Sequence, residues 1–338
     1  MSVPAAPPDI ADIEAAAARL AGQAAVTPLL EWAELNARTG ARVLIKPETL
    51  QRTGSFKFRG AFNKIACLRE GPRPPGAVVA YSSGNHAQGV AAAAAMAGLA
   101  AVIVMPADAP AIKIAGTRAR GAEVVLYDRY REQRETVAEA LAAERGAALI
   151  RPYDDPDVIA GQGTVGDEIA RQAAALGVEL DAVLIPCGGG GLTAGCALAL
   201  AAHSPATRVY SVEPAGFDDT ARSLAAQRRL ANEPGARSFC DALLAERPGE
   251  LTFAVNRRLL AGGLAVDDSE TAAAMAYAFR SLKLVVEPGG AVALAAVLAG
   301  KIDCRGRNIA VVLSGGNVDS ATFCRIWSRY LSVVAAVP

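Results

Sequence analysis

Short apolar segments alternate with helical segments along most of this chain, and this alternation limits the folds that are open to it. Segments that are apolar throughout must be covered on both faces, as in parallel sheets flanked by helices. The sequence therefore predicts an α/β fold with parallel sheets. The predicted strands are residues 43–46, 77–81, 101–105, 123–127, 148–151, 182–186, 208–213 and 308–314. The predicted helices are residues 86–97, 110–119, 131–145, 158–175, 191–202, 219–230, 269–282 and 290–299.

The composition argues against several classes of partner. The 338 residues carry 34 basic and 34 acidic side chains, and this balance argues against nucleic acid or an anionic membrane as a partner. The six cysteines never stand in the closely spaced pairs typical of zinc sites, so we expect reduced thiols of a cytoplasmic protein. Asp9, Asp12 and Glu14 stand where a secretory signal would need a basic run and an apolar core.

One uncharged stretch, residues 87–107, is long enough to span a bilayer. It is rich in alanine and is interrupted by Gly89, Gly98 and Pro106. Because glycine and proline mark turns and element ends, we interpret the stretch as a helix, a turn and a buried strand.

Lys57 stands between Phe56 and Phe58 in a segment that has Gly54 and Gly60 at its ends. Aromatic neighbours desolvate a lysine amine and lower its pKa, which suits a lysine that forms a Schiff base. The alternative is a buried aliphatic stem with an ammonium group that reaches solvent.

Small and polar residues follow the strand that is predicted at 77–81. Ser82, Ser83, Asn85 and His86 open the next predicted helix. Ligands of parallel sheets bind beyond the carboxyl ends of strands, and a helix start with hydroxyl groups and free amides suits a carboxylate. The alternative is an ordinary helix cap.

Four consecutive glycines follow the strand that is predicted at 182–186. Glycine runs cost conformational entropy, so they need a reason, and close approach of the backbone to a phosphate is one. The spacing matches neither a dinucleotide fingerprint nor a P-loop, which indicates a phosphate of another kind. These residues are Gly188, Gly189, Gly190 and Gly191, called the glycine loop below.

A group of acids follows the strand predicted at 208–213. Glu213 and Asp219 stand six residues apart around a loop that contains Gly216, so with further oxygen ligands they could bind Mg²⁺, Mn²⁺ or Ca²⁺. Alternatively, Asp218 or Asp219 caps the following helix. The glycine-containing segments 287–290 and 314–317 could simply form loops between elements.

A reactive lysine, a phosphate loop and a carboxylate-binding helix start together fit pyridoxal phosphate (PLP) and an amino acid. The residues that carry these features also resemble a known family, the fold-type-II PLP enzymes, and in particular the threonine and serine dehydratases and serine racemases. The resemblance covers nearly the whole chain, and its motifs occur in the family order. They are residues 51–64, 82–86, 159–164, 188–191 and 313–319.

The resemblance implies a role for each motif. Lys57 would bind PLP covalently and act as the base at the substrate α carbon, and Phe56 would pack beside the ring. Asn85 would form a hydrogen bond with the cofactor 3-hydroxyl, the glycine loop would bind the phosphate, and Ser314 would face the pyridine nitrogen. The implied reaction is α,β-elimination of water from a 3-hydroxy amino acid, followed by hydrolysis to a 2-oxo acid and ammonia.

Two features refine the resemblance. Position 83 is serine, as in serine racemases and hydroxyaspartate dehydratases, and a hydroxyl on the face opposite Lys57 would permit racemisation or elimination from a D substrate. Glu213, the Phe217 carbonyl and Asp219 match the metal site of that subgroup. The resemblance thus favours a divalent cation over the local capping interpretation.

Two positions leave the specificity open. Asp241-Ala242 stands where family members commonly have Asp-Gly, which puts the fit near the cofactor ring in doubt. Arg134 stands where serine racemase presents an arginine to the substrate, so it could bind a second carboxylate. Alternatively, Arg134 is a solvated helix charge like its neighbours Arg131 and Glu132.

The resemblance predicts two domains, a large PLP-binding domain of residues 1–76 and 152–338 and a small mobile domain of residues 77–151. We expect a cytoplasmic homodimeric dehydratase acting on threonine and serine or on 3-hydroxyaspartate. The first alternative is a serine racemase with side dehydratase activity. The second is a non-catalytic regulator that binds PLP or an amino acid on the same fold.

Overall fold

The computed structural model of the protein describes residues 6–82, 84–109, 111–128 and 130–335. Its strands are β1 Leu30–Glu31, β2 Arg42–Pro47, β3 Ala77–Tyr81, β4 Ala100–Pro106, β5 Glu123–Tyr127, β6 Ala148–Ile150, β7 Ala182–Pro186, β8 Arg208–Pro214, β9 Leu260–Val266 and β10 Asn308–Leu313. Its helices are α1 Ile10–Leu20, α2 Ala33–Thr39, α3 Lys57–Glu70, α4 Asn85–Met96, α5 Ala111–Arg118, α6 Arg134–Glu144, α7 Pro156–Ala175, α8 Gly191–His203, α9 Asp219–Ala226, α10 Glu250–Leu259, α11 Asp268–Tyr277, α12 Pro288–Leu298 and α13 Ser320–Ala335.

The strands form two sheets. The larger sheet has the strand order β1-β2-β10-β7-β8-β9. Each pair of neighbouring strands in it is parallel, except that β1 pairs with β2 in the antiparallel direction. The smaller has the order β5-β4-β3-β6 and is parallel throughout. The predicted α/β fold with parallel sheets is therefore confirmed.

Both faces of the larger sheet are apolar, which explains why its strands lack a polar face. In β10, Ile309 and Val311 pack into the hydrophobic cluster on one face, whereas Ala310 and Val312 pack into the cluster on the other. The alternation follows from the period of two along a strand. Helices must cover both faces, as the sequence predicts.

Glycines allow α3 to pack closely on α7. A β carbon at Gly161 would lie 2.6 Å from the α carbon of Gly60. A side chain at either position would therefore force the two helices apart. This contact holds the start of α3, and with it Lys57, against α7.

The uncharged stretch at 87–107 has the predicted structure, which is part of α4, a turn at Gly98 and the whole of β4. Within the ranges that the structure describes, no helix is long and apolar enough to cross a membrane. All six cysteines are free thiols, as predicted.

Some element boundaries differ from the predictions, and the elements that were not predicted include strand β9 and helices α10 and α13. Strand β9 was not predicted, because its sequence contains two glycines, which are rare in strands. Here glycine is required, since a β carbon at Gly263 would lie 2.5 Å from the β carbon of Ala221 in α9. The helix predicted at 219–230 ends at Ala226, because Gln227 adopts a left-handed conformation. The helix predicted at 269–282 changes at Ala278 into a π-helical turn.

Candidate active site

A cavity of about 390 Å³ lies where the carboxyl ends of strands from both sheets meet. Most of the residues that the sequence analysis selected line it. They are Phe56, Lys57, Ser82, Asn85, His86, Arg134, the glycine loop and Ser314. Ser83 lies outside the described residues.

The side chain of Lys57 reaches into this cavity from the first residue of α3. Its amine donates a hydrogen bond of 2.7 Å to the carbonyl oxygen of Pro152, and the ring of Phe56 lies 5.2 Å away. Burial lowers the pKa of Lys57 to about 8, although the carboxyl group of Glu287 opposes that shift. Phe58 packs instead against Phe62 in the core of the smaller sheet, so only one of the two aromatic neighbours borders the amine.

The glycine loop joins β7 to α8. Gly190 has a φ of +92°, a left-handed conformation that suits glycine, and a β carbon at Gly189 would overlap the ring of Tyr153. The carbonyl oxygens of Gly189 and Gly190 accept hydrogen bonds from the hydroxyl groups of Thr252 and Thr193. The carbonyls are thus engaged by the protein, which leaves the N–H edge of the loop at the start of α8 for an anion.

Asn85 is held by two partners that the sequence analysis did not select. Its Nδ2 donates a 2.5 Å hydrogen bond to Oε1 of Glu287, and its Oδ1 accepts a 2.8 Å hydrogen bond from Nδ2 of Asn317. Burial raises the pKa of Glu287 to about 7, and the charge of Asp241 adds to that shift. The sequence signals for these partners were the glycine pair in each of their loops and, for Asn317, the family motif at 313–319.

His86 is buried, and its Nε2 lies 3.0 Å from the carbonyl oxygen of Ile150. Burial, with the nearby charge of Lys57, lowers the pKa of His86 to about 3, so the ring is neutral at physiological pH. Nε2 then carries the proton. The last residue of β6 therefore accepts a hydrogen bond from His86, and Pro152 in the segment that follows accepts one from Lys57.

Arg134 begins α6 and lines the same cavity as Lys57. Its guanidinium lies 5.6 Å from the ring centroid of Tyr81 and donates to Glu135 over 2.8 Å. Arg131, by contrast, is largely exposed and pairs with Asp128. Of the two arginines, Arg134 is the one that borders the cavity.

Ser314 and Ala242 also line the cavity. The carbonyl oxygen of Ser314 accepts a hydrogen bond from the amide of Phe56, which joins the end of β10 to the lysine segment. The β carbon of Ala242 would lie 3.2 Å from a β carbon at Gly289. The departure from the family pattern at Ala242 thus occurs in the cavity wall. Its neighbour Asp241 forms a 2.6 Å ion pair with Lys113.

The chain matches the family described as "Pyridoxal-phosphate dependent enzyme" over residues 20–315. It belongs to this family of PLP-dependent enzymes. An L-threo-3-hydroxyaspartate ammonia-lyase of Pseudomonas sp is 44% identical over 308 residues, which are 91% of this chain and 95% of that protein. A serine racemase of Schizosaccharomyces pombe is 36% identical over 322 residues, which are 95% of this chain and 98% of that protein. The crystal structure of a T.th. threonine deaminase has a TM-score of 0.87 and 47% identity, and the match covers 92% of this chain and 99% of that one.

These matches confirm the predicted membership of the fold-type-II PLP enzymes. The cavity of this PLP-dependent enzyme fits the cofactor. Its lysine amine has a lowered pKa, and its glycine loop presents an N–H edge at the start of α8 while the protein engages the loop carbonyls. Lys57 and the glycine loop are therefore the groups that would hold PLP.

The acids after β8 lie apart from the residues described above. The two carboxyl oxygens of Glu213 accept hydrogen bonds from the amides of Thr220 and Ala221, so Glu213 caps α9. Asp219 accepts from Asn232 through Oδ1, while its Oδ2 is buried without a partner. The prediction that the side chain of Asp218 or Asp219 caps α9 is wrong. Asp218 occupies the N-cap position, but its side chain forms no capping hydrogen bond, and Asp219 is already the first residue of the helix. Among the described residues, no cluster of three or more His, Cys, Asp or Glu side chains suits a metal ion.

Proposed function

We propose that this PLP-dependent enzyme is an ammonia-lyase that removes water from a 3-hydroxy amino acid, and that its preferred substrate is 3-hydroxyaspartate, ahead of threonine and serine. The observation that carries this proposal is that Arg134 and Lys57 line one cavity. A guanidinium recognises a carboxylate through paired, charge-assisted hydrogen bonds. The hydroxyaspartate ammonia-lyase of Pseudomonas sp supports the same choice.

PLP bound at this site supplies a pyridine ring that withdraws electrons from the substrate α carbon. The neutral amine of Lys57 removes the α proton, and the burial that lowers its pKa favours that neutral form. The start of α4, with Ser82, Asn85 and His86, holds the α-carboxylate. The C–O bond to the β-hydroxyl breaks, and the proton that Lys57 has taken up passes to that oxygen, so the hydroxyl leaves as water. The enamine that is released then reacts with a water molecule and gives the 2-oxo acid and ammonia.

A second candidate is a serine racemase with side dehydratase activity, and its support is the Schizosaccharomyces pombe relative together with serine at position 83. In this alternative Ser83 exchanges a proton on the face of the α carbon opposite Lys57. L-Serine in deuterated water would then give D-serine with deuterium at the α carbon. Formation of pyruvate alone would reject this candidate, and an enzyme that binds PLP but converts no amino acid would be a non-catalytic regulator.

The proposal extends to a divalent cation, Mg²⁺, Mn²⁺ or Ca²⁺, bound by Glu213, the Phe217 carbonyl and Asp219. The unpartnered Oδ2 of Asp219 fits such an ion, because a buried carboxylate oxygen needs a partner. We also propose a cytoplasmic homodimer, and a small domain of residues 77–151 that moves relative to the rest. The separate sheet β5-β4-β3-β6 supports that division.

Steady-state release of ammonia from L-threo-3-hydroxyaspartate, L-threonine and L-serine tests the proposal. We expect Arg134→Met to raise KM for hydroxyaspartate by about 10- to 100-fold, as expected for the loss of a charge-assisted hydrogen bond. KM for threonine should change little. The matched control is Arg131→Met, which alters an exposed arginine. Equal effects of Arg134→Met on both substrates would reject hydroxyaspartate as the preferred substrate.

A further inference from the structure

We propose that Glu287 is a positioning residue that fixes the orientation of the Asn85 side-chain amide, so that Asn85 presents an N–H group to the cofactor and never its oxygen. This inference rests on the proposed function, in which PLP lies in this cavity. It concerns a residue that does not itself need to touch the cofactor, because Glu287 acts through Asn85.

The side-chain amide of Asn85 has a defined orientation because both its ends are engaged. Its Nδ2 donates to Oε1 of Glu287 over 2.5 Å, and its Oδ1 accepts from Nδ2 of Asn317 over 2.8 Å. The orientation of Asn317 is defined in turn, since its Nδ2 also donates to the carbonyl oxygen of Thr53 over 2.7 Å. The orientation of an amide follows from such a network.

Reversal of the Asn85 amide would create two mismatches. Oδ1 would face the carboxyl oxygen of Glu287, which sets acceptor against acceptor. Nδ2 would face the donor Nδ2 of Asn317, and that amide cannot reverse without losing its bond to Thr53. An asparagine carries two N–H groups, and Glu287 takes only one of them. The second remains for a ligand oxygen in the cavity that Asn85 lines.

The neighbouring backbone leaves room for the contact between Asn85 and Glu287. A β carbon at Gly315 would overlap Oε1 of Glu287 and lie 3.1 Å from Nδ2 of Asn85. The backbone amide of Glu287 donates to the carbonyl oxygen of Gly315 over 3.0 Å, so the pair is fixed to the loop after β10. Thr53, which holds Asn317, has a φ of +60°. Such a left-handed conformation is costly for a β-branched residue and needs support from its surroundings.

The orientation is kept in both charge states of Glu287, because the bond that Asn317 donates to Oδ1 of Asn85 remains even where a protonated Glu287 could itself donate. Burial and Asp241 raise its pKa to about 7, and the hydrogen bond from Asn85 and the charges of Lys113 and Lys57 oppose that shift. Both the carboxylate and the carbonyl oxygen of the protonated acid accept a hydrogen bond. We therefore expect Asn85 to keep the same orientation on both sides of pH 7.

A double-mutant cycle tests the inference, with the Kd of the apoenzyme for PLP and the absorbance maximum of the bound cofactor as readouts. We expect Glu287→Leu to weaken PLP binding by about tenfold, the size of one hydrogen bond. Glu287→Gln should stay within about threefold, because its carboxamide oxygen can still accept from Asn85. With Asn85→Ala already present, Glu287→Leu should weaken PLP binding by less than about a further twofold, because the effects of two coupled residues are not additive. Equal losses in both backgrounds would overturn the inference.

If Glu287→Leu fails to fold, a second pair of variants tests the inference by exchanging the amide group of Asn85 and the carboxyl group of Glu287. Asn85→Asp sets two carboxyl groups against each other, and we expect a lower apoenzyme Tm and weaker PLP binding. Addition of Glu287→Gln restores a donor and acceptor pair, so Tm should recover. PLP binding should stay weak, because position 85 now presents an acceptor. Recovery of PLP affinity together with Tm would overturn the inference.

These outcomes are distinct from a failure of the proposed function. If PLP does not bind in this cavity, Lys57→Ala will keep the cofactor absorbance band in the wild-type background. If PLP binds there and the cycle is additive, the proposed function stands and only the role of Glu287 is lost.

Discussion

The amine of Lys57 lies 2.7 Å from the carbonyl oxygen of Pro152 and donates a hydrogen bond to it. This bond joins the start of α3 to the segment that follows β6, the edge strand of the smaller sheet. The reactive amine is thus held by a backbone group and not by a carboxylate. Burial can then lower its pKa without a bonded counter-charge to offset the shift.

The first prediction concerns the proton of Lys57. In the apoenzyme, modification of Lys57 by an amine-reactive reagent should have a pH midpoint near 8, against 10.5 for an ordinary lysine. Lys64 in the same helix is the internal control, because the carboxylates of Asp155 and Asp157 outweigh its burial and raise its pKa. Peptide mass spectrometry measures both rates, and equal midpoints would contradict the prediction.

The same shift affects stability. The folded protein binds the Lys57 proton more weakly than the unfolded chain does, so the unfolded state holds more protons between the two pKa values. The free energy of unfolding should therefore rise with pH from about 8 to 10.5. Lys57→Met should remove that part of the rise, and a variant with an unchanged pH profile would count against the lowered pKa.

The second prediction concerns a buried ion network that includes Arg59 of α3, the helix that begins at Lys57. Arg59 is buried and makes paired hydrogen bonds of 2.8 Å with the buried Glu48, and it also bonds Glu168. The buried amine of Lys46 lies 2.6 Å from Glu168. Arg59→Met leaves a buried carboxylate without its partner, so we expect a loss of about 3–5 kcal/mol in the free energy of unfolding.

Arg42→Met is the matched control for this network. Arg42 also pairs with a glutamate, Glu31, through more than one hydrogen bond, but the pair is partly exposed. Exposed pairs contribute little, so this change should cost less than about 1 kcal/mol. Urea unfolding of the apoenzymes measures both values. Similar losses in the two variants would show that burial does not decide the strength of these pairs.

The third prediction concerns the proposed cation. A chelator should lower the Tm of the protein, and excess Mg²⁺, Mn²⁺ or Ca²⁺ should restore it. At a cation concentration of 100 times Kd, the free energy of unfolding should rise by about 2.7 kcal/mol. Asp219→Asn should abolish this response, whereas Asp218→Asn should keep it, because Asp218 pairs with Arg222. A Tm that no divalent cation changes would exclude Glu213 and Asp219 as ligands.

The sequence was informative where a local pattern has a local cause. The alternation of apolar strands and helices predicted parallel sheets flanked by helices, and the strand-end motifs predicted that Lys57, Asn85 and the glycine loop approach one another. The carboxyl ends of parallel strands meet at one edge, so these residues line one cavity. Strand β9 escaped prediction because its glycines serve a close contact with α9 and not the strand itself.

The partners of the site residues could not be predicted from the sequence. Glu287 and Asn317 each stand about 200 residues or more from Asn85 in the sequence, and only the tertiary fold brings the three side chains together. Likewise, Lys46, Arg59 and Glu168 look like ordinary surface charges in the sequence, yet they form the ion network under α3. Burial of a charge depends on long-range packing, which spacing does not reveal.

The attachment of PLP to Lys57 is the central claim, and borohydride reduction of the PLP-loaded enzyme tests it most directly. Reduction fixes the cofactor to the amine that holds it, and peptide mass spectrometry then locates that amine. We predict a single modified peptide that contains Lys57. Modification of Lys64 or Lys113 in place of Lys57 would contradict the account.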